Sequence, residues 1–471
     1  HRRSPSVTDN MPRPSGMVKR FPSSQIRPVP SSPILQTIIR LFGSKIEPKK
    51  TKFPLCIKGY PAPLLDSSRK NPQLSAMRNR WTEQGFQEAL DRWAADYGEE
   101  LAARLYTARL IGAESDLVLH GGGNVSVKST IRNIFQDEVE VVHVKASGGD
   151  MSRIEPRNLP PLRLRPLRRL RGLAELDDLE MVNQVRTQLV NASAPTPSIE
   201  TLLHAFLPHK FIDHSHADAV LALTNQAGGD SMIREVLGDR VAYIPYIRPG
   251  FALAKAVADS AEAAPHIQGV VLMFHGLITF ANDARVAYDH HISLCNACEE
   301  FIREKALGRT LTIVFLGEDS PENLASRVAP LLRGALAEST GNEDHPFQPP
   351  ILEWRAGDEV LEFVNSEEAA DLCAKGALTG DHVMHTKPRS LLVPEPAWND
   401  DERLRAQLRQ SVMGFRAQYR EYLDTHGAGT QDANYSPRVV CLPGAGLFAT
   451  GLTKSAAIVT ADIAEHTLKT K

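Results

Sequence analysis

The sequence predicts a mixed α/β protein. Three observations carry that reading: segments with apolar residues at helical spacing, short β-rich runs between them, and glycine-rich turns that join the two. Residues 81–110 place Phe86, Leu90, Trp93, Leu101 and Leu105 at helical intervals, and residues 321–336 and 404–422 also read as helices. Residues 138–144 read as a strand, and the unbroken apolar run 269–274 as a strand buried on both faces. With 471 residues, 42% hydrophobic and 23% charged, the chain can build two or three domains' worth of core. A formal charge of -2 gives no electrostatic ground for a nucleic acid or an anionic membrane as partner. No stretch reaches the ~18 apolar residues that span a bilayer. The cysteines, Cys56, Cys295, Cys298, Cys373 and Cys441, are scattered and odd in number, which points to a reducing, cytoplasmic setting rather than a disulfide framework.

Taken in order, residues 1–76 are rich in Pro, Ser, Arg and Lys without a sustained period, so a disordered arm is expected, with Met77 a candidate start. Its basic, acid-poor composition is also that of an organelle transit peptide. Two amphipathic helices over 81–110 follow. Then comes His120-Gly121-Gly122-Gly123-Asn124-Val125-Ser126-Val127-Lys128, in which three glycines open a β-rich run. Glycines there permit backbone that a Cβ forbids and bare N–H groups that can close on an anion, with Asn124 and Lys128 as polar and cationic contacts. Residues 138–144 lead into a second small-residue turn, Lys145-Ala146-Ser147-Gly148-Gly149-Asp150. Two such turns suit a phosphate cradle, although two tight hairpin turns meet the same pattern. Neither a dinucleotide fingerprint nor a Walker loop is present. The Pro/Arg/Leu-rich stretch 153–171 reads as a solvated connector, and 175–189 as a helix.

A helix starts after Pro197, the chain turns at Pro208, and residues 210–223 read as a strand. In a strand His214 and His216 would share one face and offer two neutral nitrogens to one metal; two hydrogen-bonded strand histidines satisfy the pattern equally. Glu200 lies one helix away, and His275 stands at the end of the buried run 269–274.

Gly-Gly-Asn-Val-Ser (122–126), Ala-Ser-Gly-Gly (146–149), Pro-Ser-Ile-Glu-Thr (197–201), His-Ser-His-Ala-Asp-Ala (214–219) and His-Gly-Leu (275–277), in this order, resemble the class II aldolase/adducin family. The wording around residues 120–128 and 202–218 is similar to the aldolase half of the bifunctional rhamnulose-1-phosphate aldolase/alcohol dehydrogenases. The resemblance runs from Met77 to the C-terminus. It implies a three-layer α/β/α sandwich with a mostly antiparallel sheet over 77–340, and a C-terminal α/β extension over 341–471. It further implies zinc, or another divalent metal, on His214, His216 and His275, with Glu200 as the catalytic carboxylate. Gly123, Asn124, Ser147, Gly148 and Ser198 match the family's phosphate-holding positions. The implied activity is cleavage of a ketose 1-phosphate, L-rhamnulose 1-phosphate, by a homo-oligomer, a tetramer in many relatives. A sugar-phosphate 4-epimerase and a non-catalytic adducin-like binding module are the alternatives on the same scaffold.

In the C-terminal third, 360–364 reads as a strand and 367–375 as a helix, with Asp381 and His382 placed near the substrate by the resemblance. Cys295 and Cys298 fall inside one helix over 284–307, where a redox pair is not expected. Residues 439–446 offer a strand and turn but no nucleotide fingerprint, so no complete dehydrogenase domain is expected within this sequence.

Overall fold

The computed structural model describes residues 77–306, 310–314, 319–426 and 434–471. The expected arm over 1–76, with Cys56, lies outside the described residues. Strands β1 (Asn124–Arg132), β2 (Glu138–Val144), β3 (Pro161–Arg163), β4 (Phe211–Ser215), β5 (Val241–Ile244), β6 (Gly269–Leu272) and β7 (Gly276–Ala281) form one sheet in the order β3-β2-β1-β4-β7-β6-β5. Every neighbouring pair is antiparallel except β5 with β6.

Alternation along each strand sends side chains to two separate cores, the pattern of a sheet covered on both faces. Phe211, Val271 and Leu277 pack on one side with Ile111, Val220, Ile233 and Tyr288, from helices Glu99–Gly112, Asp218–Thr224, Gly229–Leu237 and Ala284–Ala306. Their neighbours Ile212, Val270 and Ile278 pack on the other with Leu167, Leu203, Phe251 and Val257, from helices Leu164–Leu170, Thr201–Phe206 and Phe251–Ala263. This is the three-layer sandwich the sequence implied. Helix Glu83–Tyr97 is amphipathic as expected, whereas Glu99–Gly112 is buried along almost its whole length because it lies between its neighbour and the sheet.

A second unit follows. After a short hairpin of β8 (Glu338–Ser339) and β9 (Phe347–Gln348), strands β10 (Ile351–Arg355), β11 (Leu391–Leu392), β12 (Val439–Leu442) and β13 (Gly446–Gly451) pair in the order β10-β13-β12-β11. β13 is antiparallel to both neighbours and β11 is parallel to β12. That order repeats β4-β7-β6-β5 of the first sheet, strand for strand and direction for direction. Helix Pro321–Ala335, which a boundary at 340 assigns to the first unit, buries Leu324, Val328 and Leu332 in the core of the second. Among the described residues no helix is long and apolar enough to cross a membrane.

Three local expectations change. The strand expected over 210–223 ends at Ser215, and Asp218–Thr224 is a helix. A short Ala/Val/Leu run suits either state, and the segment before β1 decides: His216 N donates to Leu117 O at 3.1 Å and Asp218 N to Asp116 O at 2.9 Å, which pulls the chain off the sheet. The expected strand over 360–364 is likewise part of helix Asp358–Val364. The supposed solvated connector 153–171 supplies edge strand β3 and helix Leu164–Leu170, with Leu159, Leu162, Leu164 and Leu167 buried.

Candidate metal centre

Three imidazoles meet where β4 ends and the β6–β7 turn passes. His214 is the penultimate residue of β4, His216 lies just beyond it rather than in it, and His275 sits in the turn. Their ring centroids are 5.0, 5.0 and 5.3 Å apart, and one ligand atom from each lies within 4.8 Å of the others. The turn is forced by its backbone. Gly276 has φ +157°, and a Cβ there would stand 2.2 Å from the carbonyl oxygen of Ser215, so glycine alone lets His275 come this close to β4.

All three rings are buried. His214 Nδ1 lies 3.0 Å from the carbonyl of Leu277, which can only accept, so Nδ1 carries a proton and Nε2 is the nitrogen left to face a metal. Burial pushes His275 down to about 4 and His216 well below the usual imidazole value, with the other histidines adding to the shift. Neutral imidazoles are the form that binds metal.

Glu200, the residue before helix Thr201–Phe206, puts its carboxylate between two of the rings, with Oε2 3.3 Å from His214 Nε2 and Oε1 3.5 Å from His275 Nε2. Burial drives its carboxyl upward, but His214, His275 and the hydrogen bond from Asn124 outweigh this and hold it at about 2, so it is a carboxylate. Asn124 Nδ2 donates to Glu200 Oε2 at 2.7 Å and to Ser198 Oγ at 3.2 Å, and Ser198 Oγ accepts from Glu200 N. His204, pushed to about 3 chiefly by burial, completes the network through Asn124 Oδ1 and Ser126 Oγ. Within this set His214 Nε2 and Glu200 Oε1 are buried and have no hydrogen-bond partner. Buried polar atoms ordinarily find one. A divalent cation answers both, and three histidines beside a carboxylate are the donor set that zinc and its neighbours take, so the residues fit a metal.

The two glycine turns come together as expected: a Cβ on Gly121 would lie 2.9 Å from Gly148 Cα. Gly123, with φ +60°, is buried, while Ser147 and Gly148 are exposed. Asn124 and Ser198, expected in an anion cradle, are bound to Glu200 instead. Lys128 is also spoken for, its Nζ donating to the carbonyls of His204 at 2.9 Å and His209 at 2.6 Å beneath the sheet. The cation beside the turns is Lys145, which the sequence reading passed over. It is buried, donates to Gly121 O at 2.9 Å, and is lowered to about 8 mainly by burial. The second unit contributes Asp381, whose Oδ2 is 3.4 Å from His216 Nδ1. A further cluster, Asp116, Asp218 and His466, joins the two units: His466 Nε2 lies 2.5 Å from Asp218 Oδ2, and Lys469 Nζ 3.5 Å from Asp116. Cys295 and Cys298 are buried in helix Ala284–Ala306, as expected of packing residues.

Residues 103–302 match the family described as class II aldolase and adducin N-terminal domain, and residues 323–471 the one described as aldolase class II, second domain. A curated relative, the uncharacterized oxidoreductase YuxG of Bacillus subtilis (strain 168), is 33% identical over 367 residues, which is 76% of this chain and 52% of that one. The chain thus spans about half the length of that relative. The N-terminal class II aldolase domain of a conserved protein from Thermoplasma acidophilum is 40% identical over 48% of this chain and 100% of its own, with TM-score 0.43. L-fuculose-1-phosphate aldolase from Thermus thermophilus is 16% identical over 44% of this chain and 95% of its own, with TM-score 0.30.

Proposed function

Since the chain belongs to the class II aldolase and adducin family, we propose that it is a zinc-dependent aldolase that cleaves L-rhamnulose 1-phosphate to dihydroxyacetone phosphate and L-lactaldehyde. The observation that carries this reading is the convergence of His214, His216 and His275 on the ionised Glu200. A divalent ion held by the histidines would supply Lewis acidity where negative charge develops on the substrate's oxygens.

The residues of the chain handle the proton. Glu200 takes it from the substrate hydroxyl beyond the bond to be broken; the electrons of that O–H form the aldehyde carbonyl. The broken C–C bond leaves its pair on the carbon next to the ketone, and Glu200 returns the proton there, so atoms and charge balance. Asn124, locked by His204, fixes the carboxylate for both transfers. The exposed turn at Ser147 and Gly148, with Lys145 behind it, binds the phosphate and spends remote binding energy on orientation. The site stays dry enough for this because His214, His275 and Glu200 are buried.

The test is metal analysis of the purified protein, then a panel of ketose 1-phosphates assayed before chelation, after it, and after zinc is restored. Three-carbon products that disappear on chelation and return with zinc support the reading. A stereoisomeric ketose phosphate without cleavage products would make the protein an epimerase instead. Glu200→Gln should keep the metal and lose ~10²–10⁴-fold in kcat. Full turnover by that variant would remove the carboxylate from the mechanism.

A further inference from the structure

The second unit repeats half of the first in residues as well as topology. Ser215 pairs with Leu277 and Arg355 with Leu447, and this register sets Asp213–Asn225 beside Glu353–Asn365, with Asp218/Asp358, Val220/Val360, Leu221/Leu361 and Asn225/Asn365 identical. The β-turns correspond too: Phe274 and Gly444 both have positive φ, and His275 N donates to Leu272 O as Ala445 N does to Leu442 O. In this register His214, His216 and His275 correspond to Trp354, Ala356 and Ala445. The copy has no ligand at any of the three places, and the Trp354 indole reaches across to donate to Ala445 O at 2.7 Å.

The copies differ in the lengths of their connections, and one insertion bears on the site. Between helix Gly229–Leu237 and β5 the first unit has a single tight turn, Gly238–Arg240. At the same place, between Ala369–Ala374 and β11, the second unit carries the extra helix Gly380–Thr386. That insertion crosses to the first unit. Asn225 Nδ2 donates to Leu378 O at 2.8 Å, Thr379 caps the helix by accepting from His382 N at 3.3 Å, and Asp381 is delivered to His216. The glycine turn closes the same corner: a Cβ on Gly122 would lie 3.6 Å from Asp381 Oδ2 and 3.7 Å from His216 Nδ1.

We propose that the second unit is a metal-free copy of half the catalytic domain whose inserted helix makes Asp381 a positioning residue for the first unit's metal site. Its carboxylate, 3.4 Å from His216 Nδ1, favours the proton on that nitrogen, which fixes the ring and its tautomer and leaves Nε2 as the ligand nitrogen. This rests on the metal reading above and is separable from it. Wild-type protein should bind one zinc per chain, not two; no zinc at all would end the metal reading itself, whatever Asp381 does. With wild type loaded, zinc affinity is measured by chelator competition on Asp381→Ala and Asp381→Asn, together with the visible spectrum of the cobalt-substituted proteins. Asp381 is half-exposed on a short helix, so thermal melts of the metal-free variants should match wild type. The expected result is an affinity weakened ~10–100-fold in Asp381→Ala, less in Asp381→Asn, which still offers an oxygen, with the cobalt bands unmoved. Unchanged affinity in Asp381→Ala overturns the proposal. A shift of the cobalt bands also overturns it, because Asp381 would then be a ligand.

Discussion

Arg104 and Asp213 test how the site strand is held. Asp213 precedes His214 in β4; the two side chains are fully buried, and Nη2 meets Oδ1 at 2.5 Å. Burial pushes the Arg104 guanidinium down and the Asp213 carboxyl up, and in neither does the partner's attraction cancel the cost of leaving water. Removing one partner strands the other charge in the core, so Asp213→Ala should lose ~3–5 kcal/mol, a large share of the ~5–15 kcal/mol by which a folded protein is stable. Replacing both, as Arg104→Met with Asp213→Leu, removes the attraction and the desolvation together. That double variant should lie within ~1 kcal/mol of wild type or above it. The assay is urea unfolding of wild type, both singles and the double, with midpoints compared at equal slope. Metal binding should survive in the double variant, because the register of β4 with β1 and β7 is carried by backbone hydrogen bonds. A loss below ~1 kcal/mol in Asp213→Ala, or a double variant no better than the weaker single, would refute this account of the pair.

Gly123→Ala places a Cβ 2.6 Å from His214 O and 2.7 Å from Val118 at φ +60°, so it should cost ~2–4 kcal/mol in denaturant unfolding and weaken zinc retention by moving β4. Lys387, buried and lowered to about 7, binds its proton less well than in the unfolded chain at ~10.4. Between those values the unfolded state holds the extra proton, so this group makes stability rise with pH; Lys387→Met should flatten that part of the stability profile. Burial raises the thiols of Cys295 and of Cys298, the latter to about 12, so mass-mapped alkylation should leave both unmodified until the protein is unfolded.

The ligand set was legible in the linear order because its chemistry is local. A His-x-His at a strand end, a histidine closing a buried apolar run and a carboxylate heading a helix each need only a few neighbours to be recognised, and a resemblance then joined them. The unbroken apolar run 269–274 likewise implied a strand buried on both faces before any packing was known, and Val270 and Val271 do go to opposite cores. Short apolar runs did not settle themselves. Residues 218–224 and 360–364 suit strand or helix, and both became helices because the chain leaves the sheet and begins a helix at Asp218 and Asp358. What each polar group binds was decided by packing alone. Asn124 serves Glu200, Lys128 serves two carbonyls, and Lys145 stands by the glycine turns, although the two lysines look alike in sequence. The approach of Asp381 to His216 joins residues far apart along the chain, and it depends on how two units dock. Sequence by itself determined which residues could make a metal site and which faces had to be buried, since those follow from periodicity and side-chain chemistry. Tertiary structure decided which of them meet, because burial leaves each buried donor and acceptor only the partners that the fold brings within reach.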